Sequence, residues 1–250
     1  MLGGDEAPRP RVVLWQSRAA YIGPGLRLLP HRNAVATVVL GLQTPFSLTL
    51  LDRASPRPER ARVAIVPPGM MHHLETSGAM AFVYLDPLSD DYLRMRIADL
   101  GDPDAVIQVA ALARLGSTLS ASELVGRISA CIRLAPPRDH RSALEDVIRR
   151  IDDDPACFSS VRDAAQTADL SSSRFQHAFR EATGVPFRRY RLWRRMGIAA
   201  RAIGADASLT QAAFEAGFSS GAHFSSAFRA MFGISPSSLF LDTRARINCL

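Results

Sequence analysis

Residues 161–184, VRDAAQTADLSSSRFQHAFREATG, recur in pattern at 209–233, LTQAAFEAGFSSGAHFSSAFRAMFG. The first part of each copy aligns at an offset of 48 and the rest at 49, because the second copy has one extra residue at its turn. Each copy opens with apolar residues at helical spacing: Val161, Ala164, Ala165 and Ala168, then Leu209, Ala212, Ala213 and Ala216. A tight turn follows (Asp169, Leu170, Ser171; Gly217, Phe218, Ser219). The second helix of each copy carries one apolar stripe, Phe175, Ala178, Phe179 and Ala182 against Phe224, Ala227, Phe228 and Met231. Both stripes read i, i+3, i+4, i+7, which predicts one buried helical face. Gly184 and Gly233 close the copies and suit a left-handed C-terminal cap. Two short helices joined by a three-residue turn predict a helix-turn-helix unit, here duplicated and not extended into a solenoid.

Between the copies the sequence predicts one longer helix, starting near Pro186 and running to about Ile203, with Leu192, Met196, Ala199 and Ile203 on one face. Eighteen residues at 1.5 Å each make a rod of about 27 Å. Successive major-groove faces recur every 34–36 Å or about one turn, so this rod is of the right order to carry two reading helices on one side of DNA. Charge agrees. Between Arg174 and Arg201 stand eight arginines (174, 180, 188, 189, 191, 194, 195, 201) and a single acid, Glu181, a local excess above the net +6 of the chain. Such a stripe can neutralise phosphates; the alternative is a solvated helix face. All 30 basic residues are arginine, which fits codon bias and carries no function.

Composition (47% hydrophobic, mean hydropathy near zero) predicts a soluble globular chain. No apolar run is long enough for a membrane span, and the first residues lack the apolar core of a secretion signal. Cys131, Cys157 and Cys249 are widely spaced without a CxxC, which reads as reduced thiols in a cytoplasmic protein. Residues 1–10 read as a disordered leader. From 11 to 87, short β-rich runs such as AVATVVLGL, FSLTLLD and MAFVYLD alternate with Gly, Pro and polar breaks, predicting a small sandwich or barrel. Residues 88–134 turn helical, and 135–141, with Pro136 and Pro137, read as a linker. The domain from 142 to 243 reads as all helix and 244–250 as a tail. The fold class expected is α+β: a β-barrel with a helical segment, then an all-α domain with two helix-turn-helix units.

Residues off the apolar stripes are the candidates for contact with DNA. In copy one they are Ser172, Ser173, Arg174, Gln176, His177 and Arg180; in copy two Ser220, Gly221, Ala222, His223, Ser225, Ser226 and Arg229, with Arg188 and Arg189 on the connecting helix. Gln can read adenine, and Arg guanine, through two bonds each. Ser172 is in addition a candidate N-cap. Copy two has shorter side chains, so copy one is expected to read most bases and copy two to position the protein on phosphate.

The segments AAFEAGFSSGAHFSSAFRAMFGISPSSL (212–239) and SSSRFQHAFREATGVPFRRY (171–190) closely resemble the AraC/XylS family of bacterial transcription regulators. The resemblance covers about 143–243. It implies one seven-helix domain with two helix-turn-helix units binding double-stranded promoter DNA. Two positions depart from the family pattern: Asp169 stands where a turn glycine is common, and Gly221 and Ala222 replace longer polar side chains.

Family members commonly carry an N-terminal cupin-like barrel that binds an effector or mediates dimerisation. Pro67, Gly69 and His72 have the P-x-G-x-x-H spacing of the second cupin motif, with Ala61 and Thr76 where Gly and Asn are expected. Gly25 and His31 have the G-x5-H spacing of the first, but Asn33 replaces its second histidine and no glutamate follows. With His31, His72 and the adjacent His73 alone, no metal site and no cofactor are expected. Trp15, His31, His72 and Tyr84 are the candidate lining of a small-molecule effector pocket. In 88–134, Val106, Val109, Ala110, Leu112, Ala113 and Ser117 suit a helix pair between two subunits or packing on the barrel. A homodimer is expected, RNA polymerase is a candidate partner, and a membrane is not. No nucleophile–base–acid constellation or phosphate-binding glycine loop occurs, so the chain does not read as an enzyme; the competing reading is a cupin-type metal-dependent enzyme or ligand-binding protein with an accessory DNA-binding tail.

Overall fold

A computed structural model describes residues 10–15, 18–87, 144–242 and 245–249. The N-terminal strands are β1 (Arg11–Trp15), β2 (Arg18–Gly23), β3 (His31–Arg32), β4 (Ala36–Gly41), β5 (Phe46–Leu50), β6 (Pro58–Ala61), β7 (Val63–Val66), β8 (Met71–Glu75) and β9 (Met80–Leu85); β10 (Arg246–Cys249) comes from the other end of the chain. They form a six-stranded sheet, ordered β10-β1-β2-β9-β4-β7, and a four-stranded sheet, β3-β8-β5-β6. The expected barrel is thus an open, cupin-like double sheet. Side chains alternate across β9: Met80, Phe82 and Tyr84 join the main core with Phe46, Leu48 and Leu74 of the smaller sheet, while Ala81, Val83 and Leu85 join a second cluster with Val38 and Leu40. Because both faces are covered, β4, between β9 and β7, is apolar on both sides but for Thr37, whose hydroxyl accepts from Asn33 Nδ2, and every one of its residues is buried.

The helical half comprises α1 (Glu145–Asp153), α2 (Val161–Thr167), α3 (Ser172–Thr183), α4 (Phe187–Gly204), α5 (Leu209–Glu215) and α6 (Gly221–Phe232), with a π-helical turn at Ser238–Asp242. The duplication holds to the level of single bonds. Ser160 and Asp163 make a capping box on α2, and Ser208 and Gln211 make its counterpart on α5. At the two turns, Leu170 N–H donates to Ala165 O and Phe218 N–H to Ala213 O, both at 2.9 Å. Asp169 (φ +52°) and Gly217 (φ +74°) share the left-handed position there, so the aspartate does a glycine's work at some backbone cost. Gly184 and Gly233 (φ +77° and +73°) cap α3 and α6 as their positions in the repeat predict. The N-cap of α3 is Ser171, one residue earlier than the expected Ser172; its hydroxyl accepts from Arg174 N–H.

Two expectations need correction. Residues 246–249 are not a free tail: Arg246–Cys249 runs parallel to β1, with Arg11 opposite Arg246 and Leu14 opposite Cys249. The exposed edge of β1 thereby gains a partner from the far end of the chain. In α4 the buried face is Phe187, Tyr190, Trp193, Met196, Ala199, Ala200 and Ala202, with Leu192 and Ile203 only half-buried. Aromatic residues absent from the expected stripe win the core because the helix packs against both helix-turn-helix units and the sheet. Of the expected leader 1–10, residues 1–9 lie outside the described residues, as do the helical segment 88–134, with the side-chain positions named in it, and the linker 135–141.

Candidate nucleic-acid interface and domain junction

Phe175, Phe179 and the C-terminal residue Thr183 anchor α3, and Phe224, Phe228 and Met231 anchor α6. Their burial leaves Ser172, Ser173, Arg174, Gln176, His177 and Arg180 exposed on α3, and Ala222, His223, Ser226 and Arg229 exposed on α6. Ser220, Gly221 and Ser225 are half-buried. The N-cap serine of α6 accepts from His223 N–H, and Ser219 Oγ lies 3.0 Å from His223 Nδ1. His223 is therefore pinned at the start of its helix, while Arg174, at the equivalent place on α3, has room to reach.

The arginine stripe divides. Arg174, Arg180, Arg188 and Arg201 are exposed, whereas Arg189, Arg191, Arg194 and Arg195 are half-buried. Arg195 Nε donates to Ala216 O at 2.7 Å and its guanidinium lies 4.1 Å over the Phe218 ring, bracing the turn of the second unit. Burial lowers the affinity of Arg195, Arg191 and Arg189 for their protons. Arg189 Nη1 donates to the Arg32 carbonyl at 2.9 Å and so faces the N-terminal half. Half of the stripe is structural, a division that charge spacing alone does not reveal.

Asp86 and Tyr190 had no sequence signal beyond an acid at the end of an apolar strand, and Arg194 stood out only as a member of the arginine stripe. Tyr190 Oη donates to Asp86 Oδ2 at 3.0 Å, and Arg194 Nη1 lies 3.5 Å from the same oxygen, with the Asp86 side chain 1% exposed. The bonds join β9 to α4 across the domain boundary. Beside them, Tyr84 packs on Trp193 and edge-on to Phe232, with ring centroids 5.8 and 5.6 Å apart. Here lies a cavity of about 90 Å³. One wall is sheet (Val12, Leu14, Tyr21, Phe82, Tyr84), the other helical (Trp193, Met196, Phe228, Phe232, Phe240), and Arg18, Arg194 and Arg201 contribute to the lining.

Of the four expected pocket residues, Tyr84 lines this cavity. His31 and His72 do not. They face each other in neighbouring strands, their rings 4.2 Å apart, each with Nδ1 near a backbone carbonyl (Leu29 and Met70). Burial, and then the charge of His72, push His31 down to about 4; burial lowers His72 too. Trp15 pairs with Arg18 at the end of β1. Among the described residues no group of three or more His, Cys, Asp or Glu is placed to hold a metal ion.

This construction defines a DNA-binding protein of the helix-turn-helix class, and comparison with known proteins agrees. Residues 164–241 match the family model of a helix-turn-helix domain. No curated protein sequence matches. An apo ToxT variant from Vibrio cholerae is similar in fold, with a TM-score of 0.61 at 13% identity over 90% of this chain and 97% of that one. ToxT with bound unsaturated fatty acid gives 0.52 at 14% identity over 96% and 98%. An AraC-type DNA-binding regulator from Chromobacterium violaceum is 25% identical over 40% of this chain and 91% of that one, with a TM-score of 0.37. The chain therefore carries a helix-turn-helix domain over residues 164–241 behind a sheet-rich domain, in a fold similar to that of ToxT. Among the described residues no helix is long and apolar enough to cross a membrane.

Proposed function

We propose that this regulator reads a promoter through α3 and α6 under the control of an apolar, anionic effector bound between its two halves. The observation that carries the reading is the position of the cavity: its two apolar walls belong to different domains, so an occupant contacts both. The arginine side chains in the lining suit a carboxylate, and the structurally similar ToxT has been solved with an unsaturated fatty acid and with a naphthalenyl butenoic acid. Arg201, exposed at the cavity, is the residue assigned to that carboxylate.

On α3, Arg174, Gln176 and His177 are assigned to bases, with Ser172, Ser173 and Arg180 on phosphate. On α6, Ser220, Ala222, His223, Ser225, Ser226 and Arg229 mainly position the protein, and Arg188 adds a phosphate contact. Action as a cytoplasmic homodimer that engages RNA polymerase completes the proposal.

The test is selection of bound sequences from a random DNA pool by the full-length protein at near-physiological salt, with and without a long-chain unsaturated fatty acid. Two enriched half-sites about one helical turn apart support the paired reader. Arg174→Ala or Gln176→Ala should then relax preference at one half-site by about 1–3 kcal/mol. Enrichment of nothing, with binding that disappears as salt rises, refutes sequence-specific reading. An enriched motif and a melting temperature both indifferent to the fatty acid, in the parent and in Arg201→Ala alike, refute the effector assignment.

A further inference from the structure

The two left-handed glycines that end α3 and α6 occupy the same place in each repeat, and both abut the N-terminal domain. Gly184 rests on Pro68: a Cβ built on it would lie 3.4 Å from the proline Cβ. Facing it, a Cβ on Gly69 would lie 3.2 Å from Val185 Cγ1. Gly233 approaches closer still. Its carbonyl accepts from Leu29 N–H at 2.8 Å, and a Cβ there would lie 2.5 Å from Leu29 O and 2.6 Å from His31 Nδ1. So one recognition helix ends against the turn before β8 and the other against the start of β3.

Those two supports are joined. Gly69 N–H donates to Asn33 O, and Arg32 Nη1 donates to Gly69 O, both at 2.8 Å. Arg32 also pairs with Asp52 through both carboxylate oxygens, at 2.6 and 2.9 Å, while Asp52 Oδ2 accepts from Met71 N–H. The same block receives Arg189 of α4 on the Arg32 carbonyl. Residues 29–33 and 67–71 thus touch the end of each recognition helix and the rod between them.

We infer that residues 29–33 and 67–71 form one clamp that holds both recognition helices by their C-terminal caps and sets the distance between them. The inference rests on the reading of α3 and α6 as DNA readers. Under it, half-site spacing is a property of the whole chain. The α4 rod fixes one leg of the geometry, and the clamp fixes the other. The contact surfaces are backbone and small side chains, a chemistry suited to registering position with little sequence-specific bonding.

The test uses full-length protein with Cys131, Cys157 and Cys249 replaced by serine and spin labels on Glu181→Cys and Ala230→Cys, equivalent positions of the two helices outside the DNA-contacting set. Both labelled positions are exposed. Pro68→Asp places a charge against Gly184, and Leu29→Pro removes the N–H that the Gly233 carbonyl accepts. Arg32→Ala removes the side-chain bonds from Arg32 to Gly69 and Asp52 that brace the two supports, and leaves the Gly69-to-Asn33 backbone bond and both contact surfaces in place. The parent should give one narrow label-to-label distance, and each variant a broader or shifted one at a temperature where circular dichroism shows it folded. Selected DNA should show the parallel change, from one half-site spacing to several. Folded variants that keep the parent's distance overturn the clamp and leave α4 as sole ruler. A parent that selects no DNA refutes the reader assignment, and the label distances still decide the clamp.

Discussion

Gly184→Ala and Gly233→Ala are the same substitution at the same place in two copies of one motif, and the structure separates their costs. Both residues sit at left-handed φ, where a side chain costs about 1 kcal/mol relative to glycine. At Gly184 the added methyl meets Pro68 at ordinary contact distance, so the backbone term is the whole effect. At Gly233 the methyl lies nearly 1 Å inside contact with the backbone oxygen of Leu29 (2.5 Å against 3.4 Å), an atom with no flexible tip to yield. The helix end must withdraw from β3, which sacrifices the Leu29-to-Gly233 hydrogen bond, a net loss of about 1 kcal/mol, and loosens packing around His31. The expected totals are about 1 kcal/mol for Gly184→Ala and about 2–4 kcal/mol for Gly233→Ala. In a chain of this size each kcal/mol lowers the melting temperature by roughly 2–4 °C. Parallel thermal melts followed by circular dichroism should therefore separate the two variants clearly. Equal losses, or a larger loss at Gly184, would refute the claim that Gly233 is the tighter docking point.

Three further outcomes are expected. Tyr190→Phe removes a donor from the buried Asp86 carboxylate and should cost about 1–3 kcal/mol, read from the urea midpoint; no change would show that the junction bond is energetically idle. His31 binds its proton less readily when folded (about 4) than when unfolded (6.5), so the unfolded state takes up protons first as pH falls. The stability is full above about pH 6.5 and is lost toward pH 4, by about 3 kcal/mol for this residue alone, and His31→Gln should flatten that part of the curve in urea melts. Arg188→Ala should reduce the slope of log affinity against log salt by about 0.9, whereas Arg189→Ala, whose guanidinium serves the Arg32 carbonyl, should leave the slope unchanged.

The helical half was legible because its information is local. Capping serines, the i, i+3, i+4, i+7 stripes and the terminal glycines each act within a dozen residues, and duplication repeats the signal. Even the one-residue difference at the turn survives, with α2 to α5 offset by 48 and α3 to α6 by 49. What escaped was long-range. Tyr190 and Trp193 look like two aromatic residues in a basic helix until α4 is seen packed against Asp86 and Tyr84. Ile247 joins a sheet through pairing with Val12, more than two hundred positions away, which no local periodicity encodes. His31 and His72, singled out by their cupin-like spacing, meet ring to ring, yet His31 borders the Gly233 cap and neither ring lines the cavity. Spacing fixed who meets whom within the sheet, and only packing between domains fixed what that pair faces.

The cavity, the Asp86 junction and the clamp lie along one seam, and this has a direction for control. A ligand changes an equilibrium only by its difference in affinity between two arrangements. An occupant of this cavity rests on sheet on one side and on α4 and α6 on the other, so parting the domains strips one wall from it. At about 25 cal/mol per Å² of apolar surface, roughly 200 Å² of ligand buried against the helical wall would favour the joined arrangement by about 5 kcal/mol. That is close to the roughly 5.5 kcal/mol needed to move a two-state balance from 1:99 to 99:1. Occupancy should therefore tighten the seam and, with it, the hold of the clamp on Gly184 and Gly233. A bound effector would sharpen half-site spacing, and an empty cavity would relax it.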